Sequence, residues 1–131
     1  MKKFYLKRLL LPLLLAFIFT GSTLFAQDPK PFVGEWNGSI SIGGMELGIA
    51  VKLSLDDEGN LQGTIDIPEQ GAFDLPLGEF EIEGRKISFM IVHPQVQGDP
   101  TFVGELDESG KTISGTFTQS GYEGTFTLEK E

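Results

Sequence analysis

Strict alternation of apolar residues with polar or small ones over residues 45–55 is the sequence feature that most limits how this chain can fold. In MELGIAVKLSL every second residue, from Met45 to Leu55, is apolar. A period of two places these side chains on one face of a β-strand, whereas an α-helix has a period near 3.6 and would scatter them. The segment therefore predicts a long strand with one buried face.

Seven further segments share this alternation, and no stretch after residue 26 has a convincing helical period. The predicted strands are 35–42, 45–55, 61–67, 79–83, 86–92, 101–107, 112–118 and 122–129. Glycine-containing turns such as DDEGN (56–60) and DESGK (107–111) are typical of antiparallel hairpins. We therefore predict an all-β domain, an antiparallel eight-strand up-and-down barrel. A two-sheet sandwich would show the same alternation and is the alternative.

A glycine recurs inside five of the predicted strands, in the pattern apolar–x–Gly–x–apolar. The five segments are WNGSI, LQGTI, FVGEL, ISGTF and YEGTF. Each glycine falls on the inward face, where it permits a bend or the close approach of another group. We expect these glycines to make room for aromatic rings across the barrel. A ligand cavity is the alternative, and a filled core is favoured because protein interiors pack without voids.

The segment IPEQGAFDLP (67–76) is unusual because a connection between strands contains apolar side chains. We expect Pro68 to end one strand and Pro76 to mark the approach to the next, with Phe73 and Leu75 folded inward over one barrel mouth. Such a flap would hide apolar surface that a ligand could also use. With the inward-facing aromatic residues, the candidate ligand-binding residues are Trp36, Phe73, Leu75, Phe89, Phe102, Phe117 and Phe126.

The first 26 residues have the three parts of a secretory signal peptide. MKKFYLKR is basic, LLLPLLLAFIF is apolar, and small residues lead to Ala26. The apolar run is short for a membrane span, so an uncleaved anchor is the less favoured alternative. We predict a signal peptide at 1–26, a linker at 27–33 and a β-barrel domain at 34–131. The protein would be exported to the periplasm or outside the cell, with no membrane span after processing.

Charge and the absence of cysteine exclude several classes of function. Residues 27–131 contain nineteen acids and six cations, a net charge of −13. Such an acidic surface repels phosphate backbones, so we expect no nucleic-acid partner. The chain has no cysteine, which excludes disulfides, thiol redox chemistry and thiolate metal sites.

No catalytic motif is present, and we expect that the protein is not an enzyme. There is no Gly-x-Ser-x-Gly elbow, and the single histidine, His93, lies in a predicted loop without an orienting carboxylate or nucleophile. The ESGKT segment (108–112) lacks the glycine spacing of a phosphate-binding loop. The DDEGN segment is typical of a hairpin turn and lacks the further oxygen ligands of a calcium loop. Glu79, Glu81 and Glu83 fall on the predicted outer face. We expect no catalytic residue, no metal site and no cofactor.

Two resemblances bear on the fold and the partners. Gly34–Glu35–Trp36 resembles the Gly-x-Trp start of lipocalins, which are eight-strand ligand barrels. The segments GEWNGSI, LDDEGNLQGTIDIPEQGAFDLPLGEFEIEGRKISF and VGELDESGKTISGTFTQSGYEGTFTLEK resemble the small N-terminal β domain of secreted bacterial α/β-hydrolases. This second resemblance covers residues 32 to 130. The sequence ends at Glu131 before any hydrolase domain, so none of that family's catalytic residues can be placed.

These observations favour an exported, non-catalytic, lipocalin-like module. It would bind an apolar small molecule or lipid, or assist a secreted hydrolase acting as a separate protein. One alternative is a protein–protein interaction module that uses the acidic face or the loops. Another is a remnant of a secreted α/β-hydrolase.

Overall fold

The computed structural model describes residues 27–131, which form eight β-strands and two short 3-10 helices. The strands are β1 (Gly34–Ile42), β2 (Met45–Leu55), β3 (Leu61–Ile67), β4 (Ala72–Glu83), β5 (Lys86–Ile91), β6 (Thr101–Leu106), β7 (Thr112–Gln119) and β8 (Tyr122–Lys130). The 3-10 helices are Lys30–Phe32 and Pro68–Gln70. The predicted signal peptide at 1–26 lies outside the described residues. Within residues 27–131, no helix has the length and apolar character needed to cross a membrane.

Each strand pairs antiparallel with the next one in the chain, and β8 pairs with β1 to close a barrel. The closing register places Gly38 opposite Leu128 and Ile40 opposite Phe126. Closure leaves the pairing continuous around the molecule, which is how such a sheet avoids exposed edges. The predicted eight-strand up-and-down barrel is therefore confirmed, and the sandwich alternative is excluded.

The predicted strands agree with the observed ones within one residue at each end, except for β4. The alternation predicted a strand at 79–83, but β4 begins at Ala72. The β4–β5 register shifts between Gly78 and Glu81, and Glu79 has a φ of +53°. This irregularity moves the inward positions of β4 from odd to even residue numbers, which interrupts the alternation. The first half of the strand was therefore not predicted.

The barrel interior is packed with apolar side chains, and no polar side chain is buried in the described residues. Phe102 is at its centre: its ring centroid lies 4.9 Å from those of Phe89 and Phe117, and 5.1 Å from that of Phe126. Phe126 meets Phe102 edge-on, a favourable geometry for aromatic pairs. The filled core expected from the sequence is therefore present through most of the barrel.

The glycine pattern has the expected effect at Gly104 on β6. A β-carbon there would lie 2.7 Å from Cζ of Phe126 and 2.9 Å from the Ser114 carbonyl oxygen. Both distances are too short for non-bonded carbon, so only glycine leaves room for the Phe126 ring. At the other four positions, Gly38, Gly63, Gly115 and Gly124, the added atom would instead first meet a backbone carbonyl oxygen. The expected aromatic neighbour is therefore found at one of the five glycines, and at the other four the closest neighbour is backbone.

The two ends of the barrel differ. The N-terminal 3-10 helix closes the lower end, where Phe32 is fully buried and its carbonyl oxygen accepts a hydrogen bond of 3.0 Å from Trp36 Nε1. Lys130 Nζ donates to the Pro31 carbonyl oxygen at 3.3 Å and so connects the end of β8 to this helix. Residues 27–33, expected as a linker, therefore include part of the barrel core. The β1–β2, β3–β4, β5–β6 and β7–β8 connections form the opposite, upper end.

Candidate functional site: an apolar cavity at the upper end

An open cavity of about 610 Å³ lies at the upper end of the barrel. We call it the upper cavity. Its lining residues come from all four upper connections or the strand ends beside them, and most are apolar. The lining residues are Ile40, Ile42, Met45, Leu47, Ile67, Gln70, Gly71, Ala72, Phe73, Leu75, Ile91, His93, Gln95, Val96, Pro100, Phe117 and Gln119.

The floor of the upper cavity is the top of the packed core. Ile40, Ile91, Pro100 and Phe117 line it and are buried. Phe117 also contacts Phe102 at the centre of the barrel. The packed core therefore extends from the centre of the barrel up to the cavity floor. The cavity is therefore a shallow chamber above a filled barrel, and a ligand could enter only the upper part of the interior.

The rim of the upper cavity exposes large apolar side chains. Met45 at the start of β2 is 58% exposed, and Phe73 at the start of β4 is 59% exposed. Both line the cavity. Val92 and Tyr122 are also exposed at this end of the barrel, outside the cavity lining. Four of the five large apolar residues that the described chain exposes thus belong to one end of the molecule, and the fifth is Val103 on β6.

Hydrogen bonds hold the β3–β4 connection beside the upper cavity. Glu69, in the second 3-10 helix, accepts a bond of 2.8 Å from the Gly48 backbone N–H through Oε1. Asp66 accepts one of 2.7 Å from the Asp74 backbone N–H through Oδ1. Asp74 has a φ of +53°, a left-handed conformation that aspartate tolerates better than most residues. These contacts fix the backbone on both sides of Phe73.

The β5–β6 connection, residues 92–100, forms the opposite wall and has its own internal bonds. His93 Nδ1 accepts a bond of 3.1 Å from the Gln95 backbone N–H, and the His93 carbonyl oxygen accepts one of 3.0 Å from Val96. Gln119 Nε2 donates to the Gln97 carbonyl oxygen at 2.9 Å, which connects this loop to β7. Val96 packs against the core. The only histidine therefore has a structural role in the loop beside the cavity.

Charge is distributed unevenly between the two ends. Every lysine and arginine in the described part of the chain lies at the lower end or in the lower half of a strand. These cations are Lys30, Lys52, Arg85, Lys86, Lys111 and Lys130. The carboxylates at the upper end are Glu46, Asp66, Glu69, Asp74, Asp99 and Glu123. An apolar cavity is thus surrounded by negative charge.

The structure brings together three of the residues predicted to bind a ligand: Phe73, Leu75 and Phe117 line the upper cavity. Their roles differ from the predicted flap. Phe73 stands at the rim, mostly exposed, whereas Leu75 is partly buried against the core. Both belong to β4, which also includes Pro76, so the segment from Ala72 onward is a strand and not a loop folded over the mouth.

The other four predicted residues do not line the upper cavity. Trp36, Phe89, Phe102 and Phe126 are fully or almost fully buried in the packed core. They face inward as the alternation predicted, but their rings pack on each other and on neighbouring apolar residues. Inward direction alone does not distinguish a core residue from a ligand contact, and these four are core residues.

Sequence reasoning missed several lining residues, chiefly Ile42, Met45, Leu47 and Val96. A usable signal was present, because an up-and-down barrel returns every second connection to the same end. The apolar residues flanking the β1–β2, β3–β4 and β5–β6 connections therefore had to meet once the topology was assumed.

A second depression of about 1100 Å³ lies on the lower side of the barrel, between the β2–β3 hairpin and the lower half of β4. Its lining mixes Leu61, Phe80 and Ile82 with the carboxylates of β4. The β3–β4 pairing ends at Gly63 opposite Leu77, so the two hairpins separate below that pair. Among residues 27–131 no group of three or more metal-ligating side chains comes together.

Comparison with known proteins finds no matching family model, no matching curated protein and no matching solved structure. The resemblances to hydrolase N-terminal domains and to lipocalins therefore stay predictions.

Proposed function

We propose that this protein is an exported, non-catalytic binding module that takes up an apolar small molecule or a lipid chain in the upper cavity. The observation that supports this proposal best is the upper cavity itself, an apolar chamber whose rim exposes Met45 and Phe73. Its volume of about 610 Å³ falls within the range of about 300–1,000 Å³ typical of small-molecule sites. The exported location rests on the predicted signal peptide.

The energetics of the rim favour a ligand. Full burial of a large apolar side chain is worth about 1.5–3 kcal/mol. Met45 and Phe73 are each more than half exposed, so a ligand that covers them gains a substantial part of that amount from both. The buried floor offers further dispersion contacts with Phe117.

The chemistry of the lining supports binding without catalysis. His93 is the one residue of the cavity with a side chain commonly used for acid–base catalysis, and its Nδ1 accepts a hydrogen bond from the Gln95 backbone. The glutamines Gln70, Gln95 and Gln119 add amide groups, which can orient a polar end of a ligand through hydrogen bonds.

A fluorescence titration with Nile red, a neutral apolar dye, tests this proposal. We expect saturable binding to the unaltered protein and its loss in the double variant Met45→Ser, Phe73→Ser. Both side chains are mostly exposed, so the free energy of unfolding should change little. Val103→Ser is the matched control, because Val103 is also exposed but lies on β6 away from the upper cavity. Absence of saturable binding to the unaltered protein would contradict the proposal.

A second function, docking of a protein partner, is favoured by the exposed side chains outside the cavity lining. Val92 and Tyr122 are exposed at the same end as Met45 and Phe73 but outside the lining of the upper cavity, so a small ligand in the cavity leaves them uncovered. Clusters of exposed apolar residues mark interaction surfaces. A secreted hydrolase acting as a separate protein is the partner that the sequence resemblance suggests.

Site-specific photo-crosslinking in the native compartment distinguishes the two functions. A crosslinker placed at Tyr122 lies outside the cavity lining. It should capture one defined protein only if the upper end of the barrel docks a protein partner. The same crosslinker at Val103 is the control. A protein adduct at Tyr122 that is absent at Val103 would support docking, and a lack of any specific adduct would contradict it.

A further inference from the structure

We infer that the upper cavity selects a cationic amphiphile over an anionic one of the same apolar size. This inference rests on the proposed function, since it names the charge class of the ligand for the same site. The cavity provides the site, and the charges around it decide which polar end a ligand can carry.

Five of the six upper carboxylates are adjacent in sequence to cavity-lining residues. Asp66 precedes Ile67, and Glu69 precedes Gln70. Asp74 lies between Phe73 and Leu75, and Glu46 follows Met45. Asp99 likewise precedes Pro100, which lines the cavity. In a strand, successive side chains point to opposite faces, and both Glu46 and Asp74 are exposed. These carboxylates therefore lie on the outer side of the rim, where Glu46 Oε2 also accepts a hydrogen bond of 3.2 Å from the Ser39 hydroxyl, while their neighbours form the apolar lining.

This geometry suits an amphiphile with its tail inside and its charge outside. An alkyl tail would lie against the floor formed by Ile40 and Phe117, which are buried and apolar. The head group would remain at the rim among Glu46, Asp74 and Asp99. A positive head group would be attracted there, whereas a carboxylate or phosphate head group would be repelled.

No cation in the described residues compensates this field at the upper end. The nearest lysine along β2 is Lys52. It lies opposite Glu35, at the start of β1, in the β1–β2 register, and so it is in the lower half of the barrel. Charges farther apart than a Debye length, about 8 Å at physiological ionic strength, interact only weakly. The lower cations therefore cannot provide a partner for an anionic head group at the rim.

Three ligands that share a decyl chain test the inference: decyltrimethylammonium, 1-decanol and decanoate. Each competes with Nile red for the full protein at neutral pH, below its micelle concentration. We expect decyltrimethylammonium to bind best and decanoate worst, with a difference on the order of tenfold at low salt. Added sodium chloride should shrink this difference, because the head group interacts with exposed charges that salt screens.

A pair of variants with equal net charge locates the effect. Asp74→Asn with Asp99→Asn removes two rim charges. Both positions have positive φ, +53° and +50°, a conformation that asparagine also adopts readily. The control, Glu58→Gln with Glu108→Gln, removes two charges from turns at the lower end. We expect the rim variant to reduce the preference for decyltrimethylammonium over decanoate several-fold, and the control to preserve it.

The outcomes separate this inference from the proposed function. If decanoate competes as well as decyltrimethylammonium at low salt, the charge selectivity is wrong while the binding function stands. Equal effects of the rim and control variants would also overturn it, since the preference would then follow net charge and not the rim. If Nile red and all three decyl ligands fail to bind, the proposed function itself is wrong.

Discussion

Asp107 is a single carboxylate that organises the turn between β6 and β7. Its Oδ1 accepts a hydrogen bond of 2.7 Å from the Ser109 hydroxyl, and the backbone N–H groups of Gly110, Lys111 and Thr112 donate to the same oxygen at 3.1–3.3 Å. Backbone hydrogen bonds close the same turn, from Gly110 N–H to the Asp107 carbonyl oxygen at 3.1 Å and from Asp107 N–H to the Thr112 carbonyl oxygen at 2.9 Å. The Asp107 side chain adds further acceptor contacts to this turn, as aspartate commonly does.

We predict that Asp107 titrates below the ordinary aspartate pKa of 3.8. The hydrogen bond from Ser109 lowers the pKa of Asp107 most, and the three backbone bonds lower it further. Because the folded-state pKa is lowered, the ionised carboxylate stabilises the fold above pH 3.8, and this contribution is lost as the pH falls through the folded-state value.

A carboxyl-carbon NMR titration measures the Asp107 pKa directly. Ser109→Ala should move it upward, toward the ordinary value, because the largest cause of the shift is removed. An Asp107 midpoint at or above 3.8 in the unaltered protein would show that the turn bonds do not persist in solution.

We predict that Gly104→Ala destabilises the barrel by about 1–3 kcal/mol, the usual range for overpacking. The added methyl group would lie 2.7 Å from the Phe126 ring and 2.9 Å from the Ser114 carbonyl oxygen. Gly48→Ala is the matched control, since its nearest contact is Glu69 Oε1 at 3.7 Å, an ordinary van der Waals distance. Urea unfolding of both variants provides the comparison, and an equal loss in both would contradict the steric explanation.

The N-terminal 3-10 helix is an element whose importance exceeds its length of three residues. It places Phe32 inside the lower end, and the Phe32 carbonyl oxygen satisfies the indole N–H of Trp36. A buried indole N–H without such a partner would lose a hydrogen bond that water otherwise provides. The helix therefore closes the lower end both by packing and by hydrogen bonding.

We predict that Phe32→Ala lowers the free energy of unfolding by about 3–5 kcal/mol, as truncation of a buried aromatic residue usually does. Phe73→Ala should have a much smaller effect, because Phe73 is mostly exposed at the rim. The two variants make the same chemical change at opposite ends of the barrel. Denaturant unfolding followed by Trp36 fluorescence measures both. Similar losses would mean that the assignment of Phe32 to the buried lower end and Phe73 to the exposed rim is wrong.

The whole molecule carries an excess of negative charge, nineteen acids against six cations in residues 27–131. Self-repulsion of this kind destabilises a compact state. We predict that the urea midpoint rises when sodium chloride is increased from about 0.01 M to about 0.5 M, since screening shortens the Debye length from about 30 Å to a few Å. Potassium chloride should give the same shift at equal ionic strength, and a midpoint that falls with salt would contradict the prediction.

Much of the fold was predictable because the alternation of side chains is a local property of the chain. Met45 to Leu55 alternates without interruption and is β2 as predicted. In β4 the bulge around Glu79 breaks the alternation, so the signal fails where the backbone geometry departs from a regular strand. The burial of Trp36 and Phe102 follows from the same local pattern.

The candidate site was less predictable, because it depends on which strand ends meet. By itself the sequence determined seven of the eight strands and the last part of β4, the inward faces of those strands, the all-β class and the acidic character. Only the tertiary structure decided that β1 pairs with β8, that Phe32 fills the lower end, and that Met45 and Phe73 border one open cavity. The reason is physical: alternation records the direction of each side chain along its own strand, whereas closure and cavity shape depend on packing between residues far apart in the chain.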